Sequence, residues 1–293
     1  MEIGIGTVQF GLDYGVSNQT GRVDFNQVEK ILEFAQNKGI RYLDTAPLYG
    51  QSEETLGRLN FAENIRIITK TQKMEGLSGF SDPYNEFSLE LERSLSRLKR
   101  NSVYGLMAHD PNDLINDGSD RIWKIFETHK NAGRVKKIGV SVYEESQILS
   151  ILDRYPIDII QIPVSIMDQR PIQNGILNKL KKKGVEIHVR SVFLQGSIFI
   201  DPEKLPGSLN TFKSIFSDFS NRVKKSGFTS LECALGFIKT VPEIDVVVIG
   251  VNSYTQFKEV VRAWEKEIDL SAFSDFQPSK NSDLLNPAKW VNS

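Results

Sequence analysis

Residues 103–141 read VYGLMAHDPNDLINDGSDRIWKIFETHKNAGRVKKIGVS, and the alternation inside this stretch decides the fold. Val103–His109 is a short, mostly apolar run of strand length, Ser119–Ala132 is an amphipathic, charge-bearing stretch of helical length, and Lys136–Ser141 is apolar again. Strand, helix and strand in that order make a βαβ unit, whose two strands lie parallel.

The same alternation continues in both directions. Strands are expected at Glu2–Thr7, Ile40–Asp44, Ile65–Lys70, Val103–His109, Lys136–Ser141, Ile157–Gln161, Val185–Arg190 and Ile244–Gly250. Helices are expected at Phe25–Asn37, Ser52–Leu59, Tyr84–Leu98, Ser119–Ala132, Glu144–Asp153, Asn174–Lys183, Ser230–Lys239 and Tyr254–Lys266. Pairs such as Lys38-Gly39 and Lys183-Gly184 suit the negative end of a helix dipole and a left-handed cap. Length alone leaves one or two domains open for 293 residues, but the period is even and no composition break interrupts it. The reading is an α/β protein, one (β/α)₈ barrel over residues 1–293 with a C-terminal extension after about residue 266. A doubly wound open sheet would place a glycine-rich phosphate loop after the first strand; here Gly4-x-Gly6 runs on into Thr7-Val8-Gln9 with no third glycine opening a helix.

Charge and cysteine usage narrow the function. The 36 Lys and Arg against 37 Asp and Glu give a net charge of −1, without the basic excess that nucleic acid rewards. Cys233, the only cysteine, sits in an apolar helix face and fits a reducing compartment. MEIGIGTVQF carries no basic segment ahead of a long apolar run, and no later run approaches the ~20 apolar residues of a membrane span. A cytoplasmic protein with no membrane and no nucleic-acid partner is expected.

In a barrel the reactive groups lie at the carboxyl ends of strands, and here those ends collect Asp44, Lys70 and His109, with Tyr49 five residues past Asp44. Each alone has an ordinary structural reading. Together they make a proton-donating system: a phenol with pKa near ~10 is a poor acid unless a cation stabilises its phenolate. Lys70 is that cation, and a buried ammonium needs an anion, which Asp44 supplies. His109 is left to orient a substrate oxygen beside the Tyr49 hydroxyl.

These residues stand in Asp44-Thr45-Ala46-Pro47-Leu48-Tyr49-Gly50 with Ser52-Glu53, in Ile68-Thr69-Lys70 and in Leu106-Met107-Ala108-His109. With Gly139-Val140-Ser141, Gln161-Ile162-Pro163 continuing to Asp168-Gln169-Arg170, and Ile249-Gly250, they give a sequence that resembles the aldo-keto reductase superfamily over nearly its whole length. The resemblance implies a barrel enzyme using NADPH or NADH to reduce an aldehyde or ketone, with Asp44, Tyr49, Lys70 and His109 as the catalytic four. It further implies that Ser141 and Gln161 hold the nicotinamide carboxamide, and it requires no metal. A cofactor-binding regulatory subunit of the same fold is the alternative function, and a non-redox barrel enzyme a third; the intact four residues favour the reductase.

Three departures from the family pattern stand out. Val142 follows Ser141 where the family usually has Asn. Arg190, followed by Ser191, replaces an aromatic ring that in many relatives stacks on the nicotinamide, and a planar guanidinium stacks too. Gly250, Asn252 and Gln256 occupy the unit where many relatives carry Lys or Arg against the 2′-phosphate of NADPH. Elsewhere His129 reads as solvent-exposed, His188 as a packed strand residue, and Lys179, Lys181, Lys182 and Lys183 as a solvated face. The first loop, Gly11–Asn18, and the long segment Gly196–Gly227 border the site, and Asp110, Asn112 and Asp113 hint at a hydroxylated carbonyl substrate such as a sugar derivative. No exposed heptad or edge strand announces an oligomer interface.

The missing basic clamp generates a prediction. A charge-assisted hydrogen bond to a 2′-phosphate is worth ~1.5–3 kcal/mol, so its loss flattens selectivity. Fluorescence titration should find NADPH bound no more than about tenfold more tightly than NADH, unless a cation such as Lys213 or Arg222 reaches the phosphate.

Overall fold

In the computed structural model, which describes residues 1–59, 62 and 64–290, eight parallel strands close into a barrel in sequence order. They are β1 (Glu2–Gly6), β2 (Tyr42–Asp44), β3 (Arg66–Lys70), β4 (Val103–Ala108), β5 (Val135–Ser141), β6 (Ile159–Pro163), β7 (Glu186–Arg190) and β8 (Val246–Gly250). Register runs evenly, with Gly6 beside Asp44 and Ser141 beside Gln161, and β8 returns to β1 with Gly250 beside Gly6. All eight expected strands are present. The sixth lies two residues later than expected, because a turn in which the Ile157 N–H bonds the Tyr155 carbonyl delays its start.

Around the barrel run α1 (Phe25–Asn37), α2 (Ser52–Gly57), α3 (Pro83–Leu98), α4 (Ser119–Asn131), α5 (Glu145–Leu152), α6 (Ile176–Lys182), α7 (Lys213–Ser226), α8 (Ser230–Lys239) and α9 (Tyr254–Glu265). Side-chain caps fix where several begin: Asp24 accepts from the Asn26 N–H, and Thr229 and Glu232 form a reciprocal capping box ahead of α8. One expectation fails here. The segment Gly196–Gly227 is not a long loop, for its second half is the fourteen-residue helix α7, which buries Phe216 and Phe219. The chain beyond 266 packs against that helix through Phe273 and Phe276, with ring centroids 5.8 and 6.4 Å from Phe219, and buries Leu284 and Leu285. Its last residues, 291–293, lie outside the described residues. Among the described residues no helix is long and apolar enough to cross a membrane.

Two cores result. The larger lies between strands and helices, while a smaller one fills the barrel with Tyr42, Ile68, Met107, Ile159, Val246 and Val248. Below it, at the amino-terminal ends of the strands, the filling turns polar. The Glu186 carboxylate accepts from the Tyr104 hydroxyl at 2.7 Å, Lys137 Nζ at 2.6 Å and His188 Nε2 at 2.7 Å, and Arg66 bonds the Tyr42 hydroxyl. Burial works to raise the Glu186 pKa, but these three donors outweigh it and hold it at about 2. His188 is the packed strand residue expected, with no exposed surface.

At the opposite end, two glycines let the loop after β2 sit against the turn after β1. A Cβ on Gly11 would lie 1.8 Å from the Tyr49 carbonyl oxygen, and one on Gly50, whose φ is +56°, would lie 2.6 Å from the Gly11 carbonyl oxygen. Backbone cannot yield as a side-chain tip does, so Gly11→Ala should cost at least ~1–3 kcal/mol, read as a lowered Tm, and should reduce activity by displacing Tyr49. A thermal melt unchanged from the parent's would show that the loop has room to move.

Candidate active site

The barrel's carboxyl end opens into a cavity of about 1050 Å³, whose wall includes Asp44, Tyr49, His109, Ser141, Gln161 and Arg190. In the parallel pair β2–β3 Asp44 stands level with Ile68, and Lys70, two residues further along β3 on the same face, brings its Nζ to 2.7 and 2.8 Å from the two Asp44 carboxylate oxygens. Lys70 Nζ also donates to the Thr45 carbonyl at 3.1 Å, and Gln161 Nε2, from across the barrel, donates to Asp44 Oδ2 at 2.9 Å. Lys70 is 1% and Asp44 4% exposed. Burial would lower the Lys70 pKa, but the Asp44 charge, together with Tyr49, reverses the shift and raises it.

Tyr49 follows on the loop, its ring centroid 4.9 Å from Lys70 Nζ and 5.7 Å from the His109 ring, which it meets edge-on at 85°. Its phenol departs from the sequence expectation. Burial pushes the pKa up, the Lys70 charge opposes this, and Asp44 adds to the rise, so the net direction is upward. Lys70 moderates the phenol rather than making it a strong acid, because burial raises the pKa and the aspartate that keeps the lysine charged adds to that rise. His109 is neutral: burial first, then the charges of Lys70, Arg190 and Lys73, lower it to about 3. Its Nδ1 is buried without a hydrogen-bond partner among the described residues.

A second layer holds these groups. The Ser52 hydroxyl lies 2.7 Å from the Thr7 hydroxyl and donates to the Thr7 carbonyl, while the Thr7 hydroxyl donates to the Asp44 carbonyl at 2.9 Å. Glu53, 1% exposed, accepts from the Thr69 hydroxyl at 2.6 Å and from Arg97 Nε at 2.8 Å, and Arg97 also bonds Glu90. The residue before Lys70 is thereby tied to α2 and α3. Sequence reading noted Ser52-Glu53 only as a motif; a carboxylate so near an apolar helix face needed a cation, and Arg97 was the signal to look for.

The cofactor residues anticipated from sequence line the same cavity: Ser141, Gln161, Arg190, Ser191, Gly250, Asn252 and Gln256. Ser141 and Gln161 are adjacent in register, the Ser141 hydroxyl has no protein partner among the described residues, and one Gln161 amide hydrogen is committed to Asp44. A donor hydroxyl beside an acceptor amide oxygen fits a carboxamide. Buried Gln9 Oε1 and Asn252 Oδ1 also lack partners, and a Cβ on Gly250 would lie 2.6 Å from the Gln9 amide, so the wall there is close and polar. The donor set therefore suits a dinucleotide. Arg190 stands 3.9 Å from the Tyr143 ring centroid and donates to the Val142 carbonyl at 3.0 Å. Gln256 folds back to accept from the Asn252 N–H at 2.8 Å.

Both anticipated bordering segments reach the cavity, and Gln195, just ahead of the second, donates from Nε2 to the Tyr14 hydroxyl of the first at 2.8 Å. Ser191, Leu194 and Gln195 have φ of +60°, +44° and +52°, a run of left-handed backbone that sequence did not reveal. Three expectations are corrected. Lys213 and Arg222 do not line the cavity; they belong to α7, paired with Glu203 and with Asp218 and Asp275, and the exposed Lys204 is the lysine on the wall. An exposed lysine contact is worth only ~0.2–1 kcal/mol, so near-parity of the two cofactors still follows. His129 is not solvent-exposed but buried, its Nε2 donating to the Ser88 carbonyl at 3.2 Å where α4 meets α3. Asp110, Asn112 and Asp113 are off the cavity wall: Asp110 caps its own turn, and Asp113 accepts from the Met74 N–H.

Comparisons with known proteins agree with this architecture. The sequence model of the Aldo/keto reductase family matches residues 2–279. The uncharacterized oxidoreductase YqkF of Bacillus subtilis is 25% identical over 289 residues, covering 89% of this chain and 86% of that protein. A second B. subtilis protein, the uncharacterized oxidoreductase YrpG, is 22% identical and covers 98% and 95%. The structure of aldo-keto reductase AKR11C1 from Bacillus halodurans, in its holo form, superimposes with a TM-score of 0.76 at 23% identity, covering 96% of this chain and 94% of that one, which shows the common fold.

The His109 environment sets a pH signature. The unfolded chain takes a proton on this histidine below the ordinary value of 6.5, whereas the folded one refuses it until about pH 3, so stability is lost as pH falls through that window. His109→Asn cannot titrate and should lose less Tm than the parent between pH 7 and pH 4.5. Parallel Tm curves for the two proteins would contradict the neutral, depressed histidine.

Proposed function

The chain belongs to the aldo/keto reductase family, an NAD(P)H-dependent oxidoreductase, and on that premise we propose that it reduces an aldehyde or ketone to an alcohol with Tyr49 as the proton donor. The observation that carries this reading is the buried ion pair of Lys70 and Asp44 at 2.7 Å, set beside a phenol and a neutral imidazole on one cavity wall. When bound, the reduced nicotinamide supplies the hydride. Ser141 and Gln161 hold its carboxamide, and Gly250, Asn252, Gln256, Arg190 and Ser191 complete its bed.

The steps left to the protein concern orientation and one proton. His109, neutral at working pH, donates a hydrogen bond to the carbonyl oxygen and turns the carbon toward the bound ring. Tyr49 keeps its proton until negative charge grows on that oxygen and then transfers it. The phenolate that remains is stabilised by Lys70, whose own charge is kept by Asp44 and by the Thr45 carbonyl. Transfer in reverse takes the proton from an alcohol back to Tyr49. The substrate is a small carbonyl compound that enters past Tyr14 and Phe199, both partly exposed on the wall. A sugar derivative draws no support from Asp110, Asn112 or Asp113, which lie elsewhere. Action in the cytoplasm fits the single, buried, unpaired cysteine.

Tyr49→Phe keeps the ring and removes the proton, so turnover with a carbonyl panel should fall by ~10²–10⁴ while NADPH or NADH affinity stays within a few-fold. Lys70→Met should lower turnover as well. Turnover of Tyr49→Phe within threefold of the parent would assign the proton to another group.

A further inference from the structure

Arg190 is a cation with nothing of opposite charge beside it. Its guanidinium donates to the Val142 carbonyl and the Ser191 hydroxyl, at 3.0 and 3.3 Å, and among the described residues no carboxylate pairs with it. The neighbouring Glu144 is engaged by Arg170 at 3.2 Å. Tyr143 covers it at 3.9 Å from ring centroid to guanidinium carbon, which fixes the group and dries one side of it. The other charges of the inner cavity cancel: Lys70 is neutralised by Asp44, and His109 carries none. Lys204 and Glu259, farther out on the wall, are exposed and opposite in sign. The inner wall that would receive the nicotinamide therefore has a net charge of +1, all of it on Arg190.

We infer that Arg190 makes this site discriminate the oxidation state of its cofactor, holding the reduced nicotinamide more tightly than the oxidised one. The inference rests on the reading of Arg190 as part of the nicotinamide bed. The oxidised ring is a cation, which a stacked guanidinium repels, whereas the reduced ring is neutral and offers a π face that a guanidinium favours. An aromatic residue at this position would tolerate both. Carbonyl reduction moves a hydride from the ring to the carbonyl carbon and a proton from Tyr49 to the oxygen, leaving the positive ring against Arg190. Alcohol oxidation, with hydride and proton moving the opposite way, removes that positive charge. The residue thus biases the bound couple toward the reduced cofactor, and each tenfold ratio of dissociation constants corresponds to about 30 mV in the midpoint potential of the bound two-electron couple.

The test is a set of dissociation constants for NADH, NAD⁺ and ADP-ribose, by fluorescence and calorimetry, on the parent, Arg190→Met and Arg190→Lys. The parent should bind NADH at least tenfold more tightly than NAD⁺. Arg190→Met should reduce that ratio about tenfold, chiefly by tightening NAD⁺, with ADP-ribose unchanged because it lacks the ring. Arg190→Lys, which keeps the charge, should retain most of the ratio. Should the Met variant not fold, Arg190→Gln carries the same comparison while keeping a donor for the Val142 carbonyl. A parent ratio below threefold, or a ratio within twofold of the parent's in the neutral variant, overturns the inference while leaving the reductase reading intact. Failure of the parent to bind NADH, NADPH or their oxidised forms overturns both.

Discussion

An ammonium and a carboxylate facing each other inside a protein constrain everything around them, since removing either partner leaves a charge that the interior cannot solvate. In this barrel Lys70 and Asp44 are that pair. They meet because β2 and β3 are neighbours with Asp44 level with Ile68, so that Lys70, two residues further on, turns its side chain to the same face, and the demand for further partners recruits the Thr45 carbonyl and, from β6, the Gln161 amide. Three strands are thus pinned by one electrostatic requirement. Tyr49 and His109 take their positions relative to it, and the Glu53–Arg97 contact with Thr69 braces the strand on which Lys70 stands.

The site works by near-cancellation of charge. Burial alone would lower the Lys70 pKa, and the Asp44 carboxylate reverses that shift. With both present the pKa of the Tyr49 phenol stays on the high side: burial raises it, the Lys70 charge opposes the rise and the Asp44 charge adds to it. The histidine contributes geometry and hydrogen bonding but no charge. Against so balanced a background, one unpaired guanidinium has an influence it would not have at a solvated surface.

Much of the fold was legible in sequence because a barrel strand buried on both faces leaves little choice but a short apolar run, and each helix announces itself by an amphipathic stretch after it. Asp44, Lys70 and His109 were legible only as a group: each alone has an ordinary reading at a strand end, but consecutive strands of a barrel bring their carboxyl ends together. Residues whose fate depends on what packs against them were not. His129 sits in Glu127-Thr128-His129-Lys130, as charged a setting as a surface offers, yet α3 lies over it. The helix α7 lay hidden in the segment Gly196–Gly227 although Phe216, Phe219 and Val223 recur at helical spacing, because it is an additional helix ahead of α8 that the alternation of one strand with one helix does not call for. The direction of the Tyr49 shift depends first on how deeply the phenol is buried and then on the opposite charges of Lys70 and Asp44, which no spacing in sequence encodes.

The polar network around Glu186 has a kinetic meaning besides its contribution to packing. Tyr42, Tyr104, His188 and Arg66 fill the barrel at the ends of the strands where the chain enters, so the cavity at the other end has a closed floor. Two molecules sharing such a vessel queue: whichever rests deeper loads first and departs last, and order of addition becomes a property of the vessel's shape rather than of either molecule's affinity.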